Sequence, residues 1–308
     1  MAASPDRSPS PAQRIHAGLI GFACGDAAGV PWESKRPDEI DRAAIGRLPA
    51  SRGWPAGSVS DDTIFLLSMA RTLVAGDATP RGLLERLAAD LPRARGAGRT
   101  SRAAIERFVQ TGATRAEGGI SNGAAMRALP LGWASAPAQV EERVRLGIEL
   151  ARATHGHPAA IAAAVAVAAM GTWSVAAVPR DRLLQHAVAE AGLALARLDA
   201  EPELITPLIQ ATAGRWRPPA SGVPFEGMAT VAAVITALGA AGTTEDAIIR
   251  AIALGGDTDT VAAITAGIHA AWQGGAVVPW SGRVPLPDHC DLAALAAGLA
   301  QRRAATPP

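Results

Sequence analysis

A chain of 308 residues accommodates two ordinary domains or one large helical one, and its 29 basic against 28 acidic side chains leave a net charge of +1. That balance excludes the basic face required by a phosphate backbone or an anionic bilayer, so neither nucleic acid nor membrane is expected as a partner. Hydrophobic residues make up 49% and charged residues 19%, Tyr is absent and Phe numbers 4. This composition suits a core of closely packed, Ala-rich helices rather than a β-sandwich or a disordered chain.

Residues 1–12 carry prolines and serines where a signal peptide needs an apolar run, and are expected to form a disordered tail. Residues 13–304 are expected to form one compact all-α domain. Ile15, Leu19 and Phe22 fall on one helical face, as do Leu66, Met69 and Leu73, then Val140, Val144 and Ile148, and finally Val261, Ile264 and Ile268. Breakers separate these runs at Gly29 to Pro31, Pro49 to Gly57, Gly96 to Gly98, Gly118 and Gly119, Gly156 to Pro158, Pro218 to Pro224 and Gly274 to Pro287. Ten or so helices, roughly 8–20 residues each, fit between them. The apolar run Ala159 to Val178 is dominated by Ala and broken by Gly171, Thr172 and Ser174, which predicts a buried core helix and not a bilayer span. Leu292 to Arg303 predicts a closing helix, with Thr306 to Pro308 frayed. Cys24 and Cys290 are too few for a disulfide framework or a zinc finger, which points to the cytoplasm. Lys35, the only lysine, rules out a Schiff base anywhere else.

Two acidic clusters stand at predicted helix starts. Ser60-Asp61-Asp62-Thr63 precedes an apolar run, with Ser60 as cap and two carboxylates facing the positive end of the helix dipole. Gly255-Gly256-Asp257-Thr258-Asp259-Thr260 precedes another. Each alone reads as an ordinary helix start. If they converge, four carboxylates and several hydroxyls form a hard, oxygen-only donor set whose repulsion calls for divalent cations, Mg²⁺ or Mn²⁺ rather than zinc. An EF-hand is excluded: counted from Asp257, Ala262 stands where the loop needs glycine and Ile268 where it needs glutamate.

The segment Glu117 to Arg127 places Gly118, Gly119, Ser121, Asn122 and Gly123 ahead of a helix, leaving backbone N–H groups for phosphate oxygens or Asn122 as a plain N-cap. It lacks the Lys-Ser/Thr pair of a P-loop. His155 and His157, two apart in Thr154 to Pro158, are poorly spaced for one metal and are expected to hydrogen-bond. Asp26 lies on the apolar face near the end of the first helix. The dipole disfavours a carboxylate there, which predicts backbone N–H partners or a place behind a site.

Five segments in order, GLIGFACGDAAGVPWE, SDDT, SNGAAMR, THGHP and LGGDTDTVAA, span Gly18 to Ala263 and resemble the ADP-ribosylglycohydrolase family. The resemblance implies an orthogonal helical bundle with a binuclear Mg²⁺ or Mn²⁺ centre at the base of a cleft. It implies Ser60, Asp61, Asp62, Asp257, Asp259 and Thr260 as metal ligands. Gly119, Ser121, Asn122 and Gly123 look like the diphosphate and ribose cradle, His155 like the residue steadying the nucleotide, and Glu33 like the acid on the loop over the scissile bond. Ser60 stands where the family more often has Thr, and Ile120 where some relatives have a polar or aromatic residue.

The implied reaction is hydrolysis of the bond between ADP-ribose and an ADP-ribosylated protein or small conjugate. Its oxocarbenium character calls for a nearby carboxylate and a metal-activated water. Asp61 or Asp62 would position or deprotonate that water, and Glu33 would gate the cleft or assist the leaving group. A class-I terpene synthase is rejected because Phe65 stands where its Asp-Asp-x-x-Asp motif needs an acid. A non-catalytic ADP-ribose reader or immunity protein, and a phosphoesterase acting on the diphosphate, are the competing classes. Loops Gly46 to Val59 and Gly214 to Glu226 are expected to select the acceptor.

Overall fold

In the computed structural model, whose described residues are 8–275, 278, 280–287 and 290–305, the periodic segments are helices throughout. They run in order as α1 (Pro11–Gly29), α2 (Asp61–Val74), α3 (Pro80–Asp90), α4 (Arg99–Thr111), α5 (Leu129–Trp133), α6 (Val140–Arg152) and α7 (Pro158–Val175). The second half adds α8 (Arg180–Arg197), α9 (Thr206–Thr212), α10 (Gly227–Gly239), α11 (Thr244–Ile252), α12 (Thr258–Gln273) and α13 (Leu292–Ala305). Among the described residues there is no β-sheet, only isolated bridges between loops. The fold is all-α, as the composition predicts.

α1 begins two residues inside the segment expected to be a tail. Ser10, Pro11 and Gln13 explain the shift: the Gln13 N–H donates to the Ser10 hydroxyl, the Ser10 N–H donates to the Gln13 side chain at 2.8 Å, and Pro11 fills the first turn, where no donor is needed. The rest of the expected tail, residues 1–7, and the expected frayed end, residues 306–308, lie outside the described residues. At the centre is α7, packed by α5, α6, α8, α10 and α12. It is long and apolar enough to cross a membrane by composition, yet 89% of it is buried inside the protein. Its run of alanines lets neighbours approach on every side, and a helix apolar all round belongs in a core.

The crossing of α1 on α12 is the most extensive helix pairing among the described residues. Gly18, Gly21, Gly25 and Gly29 form a stripe along α1, and α12 lies directly on it. A methyl group added at Gly25 would stand 2.3 Å from the Ala262 carbonyl oxygen, and one at Gly29 would stand 2.4 Å from Cα of Asp259. The Thr258 hydroxyl donates to the Gly29 carbonyl at 2.9 Å, pinning the two helix ends together. The C-terminal end of α1, with Asp26, is thereby brought to the N-terminal end of α12, with Asp257 and Asp259.

Gly25→Ala is expected to destabilise the protein by about 1–3 kcal/mol, because backbone must shift to admit the methyl. Gly192→Ala on α8, where the nearest atom outside the helix would be 3.7 Å away, is expected to stabilise by roughly 0.5–1 kcal/mol. Urea denaturation of both variants measures the contrast, and equal effects would refute the close-approach argument.

Candidate active site

Asp26 organises the first wall of the site. Its carboxylate accepts from the N–H groups of Ser60 at 3.0 Å and Thr63 at 3.1 Å and from the Thr63 hydroxyl at 2.5 Å. The carboxylate at the unfavourable end of α1 therefore serves the free donors at the start of α2. Ser60 caps α2 as its sequence predicts, accepting from the Asp62 N–H at 3.1 Å. Asp61 and Asp62 then occupy the first turn, and the Asp61 N–H donates to the Arg95 carbonyl at 2.8 Å.

Loops sewn together by backbone bonds build the other walls. The Ser34 N–H donates to the Gly256 carbonyl and the Gly256 N–H to the Lys35 carbonyl, both at 2.7 Å. On its other side this loop pairs with Val223, whose N–H donates to the Gly255 carbonyl at 3.0 Å while the Asp257 N–H donates to the Val223 carbonyl at 2.9 Å. Gly256 has a φ of 73°, and a side chain there would stand 2.2 Å from the Val223 carbonyl oxygen, so only glycine fits. A third pairing joins Ser121 to Glu226, with the Asn122 N–H donating to the Phe225 carbonyl at 3.0 Å.

These pairings enclose a cleft of about 340 Å³. Glu33, Ser60, Asp61, Asp62, Ser121, Asn122, Gly123, Asp257, Asp259 and Thr260 all line it. The two acidic helix starts, about 200 residues apart in sequence, thus share one cavity with the glycine segment. Gly119 and His155 do not line it. His155 is fully buried behind Ser121, with Nε2 2.9 Å from the Ser121 hydroxyl oxygen. His157 caps α7, its Nδ1 accepting from the Ala159 N–H at 3.2 Å. Asn122 is not an N-cap: Ser121 occupies the position before the short 3₁₀ turn Asn122–Ala124. The Asn122 amide instead donates to the Thr230 hydroxyl at 2.9 Å and to the Asp257 carboxylate.

The electrostatics of the cleft follow from burial. Asp61 is pushed up to about 8, chiefly by loss of solvent and then by the charges of Asp26, Glu33 and Asp257. Asp26 and Asp257 are each pushed up to about 6 by burial, partly offset by the hydrogen bonds they accept. Asp62 and Asp259 are raised well above the carboxylate range, by burial first and neighbouring carboxylates second. The cation set against this cluster is Arg52, which pairs with Glu33, lies 3.8 Å from Asp259, donates to the Val30 carbonyl at 3.2 Å and covers the Trp54 ring at 4.8 Å.

Among the described residues no three Asp, Glu, His or Cys side chains are gathered closely enough to form a ready metal-binding group. The donor set nevertheless fits divalent cations completed by hydroxyls: every ligating atom is oxygen, and Asp62 Oδ2 and Asp257 Oδ1 are buried without a hydrogen-bond partner. Sequence reasoning missed Arg52, Trp54, Arg99 and Phe225. Trp54, Arg99 and Phe225 line the cleft, and Trp54 and Phe225 come from the two loops expected to contact the acceptor. Arg52, Trp54 and Phe225 are single loop residues and Arg99 opens α4, each without a spacing signal.

An all-α scaffold whose helix N-termini deliver buried carboxylates to a cleft, opposite a glycine-rich wall, defines a class of helical proteins suited to grip cations and a polar ligand together. A sequence profile of the ADP-ribosylglycohydrolases matches residues 7–308, and the chain belongs to that family. It is 35% identical over 173 residues to the ADP-ribosyl-[dinitrogen reductase] glycohydrolase of Rhodospirillum rubrum, a match covering 53% of this chain and 58% of that protein. The chain thus aligns with a little over half the length of this relative. A solved ADP-ribosylglycohydrolase-related protein complex superposes with a TM-score of 0.77 at 25% identity, covering 96% of this chain and 99% of that one.

Raised carboxylates predict a stability that falls as pH rises. A group whose folded value lies above its unfolded value of about 3.9 contributes stability that is present below that value and lost as pH rises through the folded one. For Asp61, raised to about 8, the loss extends through the weakly alkaline range. His155, lowered to about 3 by burial and then by Arg127, acts only on the acid side, below its unfolded value near 6.5. The chelator-treated protein is expected to lose melting temperature progressively between about pH 5 and 8, less so as Asp61→Asn. Scanning calorimetry against pH tests this; an identical slope in the variant would reject the assignment to Asp61.

Proposed function

We propose that the chain is a divalent-cation-dependent hydrolase that cleaves the glycosidic bond between ADP-ribose and its acceptor, releasing ADP-ribose. The observation that carries this reading is the joining of Asp61 and Asp62 with Asp257 and Asp259 in one cleft, faced by Ser121, Asn122 and Gly123 and overlooked by Glu33. Family membership supports the same chemistry. Ser60, Asp61, Asp62, Asp257, Asp259 and Thr260 would hold two ions, Mg²⁺ or Mn²⁺, as oxygen ligands. Such ions, when bound, offset charge and favour ionisation of water at neutral pH.

The remaining work falls to the chain's own residues. Gly123 shapes the wall against which the diphosphate would lie, with Ser121 and Asn122 supplying polar contacts, while Gly119 and His155 would support that wall from behind. Asp61 or Asp62 would orient the attacking water and take one of its protons on a carboxylate oxygen. The water oxygen bonds to the anomeric carbon, the bond from that carbon to the acceptor breaks, and the acceptor leaves with a proton. Glu33, tied to Arg52, would open or close the cleft or assist that departure. The name of the Rhodospirillum rubrum relative specifies an ADP-ribosylated protein as its substrate, which supports an ADP-ribosylated protein, or a smaller ADP-ribosyl conjugate, as substrate here. Free Cys24 and Cys290 are in keeping with a reducing, cytoplasmic setting.

Purified protein incubated with arginine- and serine-linked ADP-ribosyl peptides is expected to release ADP-ribose and not AMP. Chelation should stop the release, and Mg²⁺ or Mn²⁺ should restore it. Asp61→Ala should lower turnover by at least about 100-fold. Mass spectrometry of the products decides: AMP would indicate a phosphoesterase, and tight ADP-ribose binding without turnover on either linkage would favour a reader or immunity protein.

A further inference from the structure

Arg127 is a fully buried guanidinium, and none of the ion pairs among the described residues involves it. It donates to the Gly123 carbonyl in the glycine wall and, at 2.7 Å, to the hydroxyl oxygen of Thr154. The Thr154 oxygen lies 2.7 Å from Nδ1 of His155, and Nε2 of the same ring lies 2.9 Å from the hydroxyl oxygen of Ser121. Thr154 and His155 are completely buried, while Ser121 lines the cleft.

The direction of every bond in this chain follows from its first member. A guanidinium has donors and no acceptor, so Arg127 leaves the Thr154 oxygen as acceptor. The single hydroxyl hydrogen of Thr154 needs a partner of its own, since a buried unpaired donor costs about 1–3 kcal/mol, and His155 Nδ1 is the acceptor within reach. Nδ1 therefore carries no hydrogen. Burial and the nearby Arg127 charge keep the ring neutral, lowering its value to about 3, so the one ring hydrogen sits on Nε2 and is donated to Ser121. The Ser121 oxygen has then accepted its bond, and its own hydrogen has no protein acceptor among its hydrogen bonds in the described residues.

We propose that Arg127, Thr154 and His155 form a one-way hydrogen-bond relay that locks His155 in the Nε2–H tautomer and turns the Ser121 hydroxyl hydrogen into the cleft as a donor reserved for an anionic ligand oxygen. Arg127, Thr154 and His155 are positioning residues: none lines the cleft, and each acts through the next. A Ser121 free to rotate could offer a lone pair as readily as a hydrogen. The relay occupies one of its two lone pairs and leaves the hydroxyl hydrogen free for a phosphate oxygen, with the buried Arg127 charge behind it. The identity of the anion as the diphosphate of ADP-ribose rests on the function proposed above; the tautomer does not.

Long-range ¹H–¹⁵N NMR of ¹⁵N-labelled protein at neutral pH, with the His155 signals assigned through His155→Gln, reads the relay without any ligand. A protonated Nε2 and a bare, hydrogen-bonded Nδ1 are expected in the wild type. An Nδ1–H ring or an imidazolium would overturn the proposal, and this reading needs no variant at position 154 to fold. Thr154→Val should release the ring to a tautomer mixture and weaken ADP-ribose binding about tenfold, the scale of one hydrogen bond to a charged group, with adenosine binding unchanged. Thr154→Ser should restore both. A Thr154→Val protein that is folded and keeps the pure Nε2–H tautomer would also overturn the relay. Nε2–H with no ADP-ribose affinity in the wild type upholds the relay and defeats the proposed function. Nδ1–H with normal affinity defeats the relay without counting against the proposed function.

Discussion

The crossing of α1 on α12 is the constraint from which the site follows. Four glycines spaced along α1 let its backbone lie directly on α12, and the Thr258 hydroxyl fastens the junction at Gly29. Because the helices run in opposite directions, the last turn of α1 lies beside the first turn of α12. Asp26 then stands where it can receive the free N–H groups of α2, and the start of that helix is drawn to the same point. One close packing contact therefore brings together carboxylates that sequence distance separates widely.

That arrangement gathers acidic groups in a place with little water, which is why their ionisation is resisted. Asp26 is served by donors, Asp257 by Asn122 and Asp259 by the Thr260 N–H, while Asp62 and Asp257 each keep a buried oxygen without a partner. The folded chain tolerates the cluster because helix dipoles face it and because Arg52 leans over its rim. The opposite wall inverts the pattern: a buried guanidinium, neutral His155 and hydroxyls lie behind Ser121. A ligand carrying both a hydroxyl-rich sugar and an anionic group would meet complementary surroundings at its two ends.

Much of this was readable residue by residue. The helical face of Ile15, Leu19 and Phe22, the cap at Ser60, the buried fate of the Ala-rich helix and the unusual placement of Asp26 all follow from local rules. α1 starts two residues before the end of the polar tail its composition suggests, because Ser10, Pro11 and Gln13 form a capping box. Asn122 is of a type that favours a cap, but its amide finds Thr230 and Asp257, partners more than a hundred residues away. Arg52 and Trp54 carried no signal, since a lone Arg and a lone Trp in a loop differ from any surface pair until the loop is folded over an acidic cleft. The role of the α1 glycines was equally silent, because closeness belongs to a pair of helices and not to either one.

The amino-acid sequence by itself determined which segments are helical, which helix starts are acidic and which family the motifs resemble, because caps, periodicity and dipoles act over a few residues. Only the tertiary structure decided that Asp61 and Asp62 share a cavity with Asp257 and Asp259, that His155 stands behind Ser121 and not in the cleft, and that Arg127 orders a chain of hydrogen bonds through Thr154. Those relations depend on solvent exclusion and on distances between residues remote in the chain, and both come into being only when the helices pack.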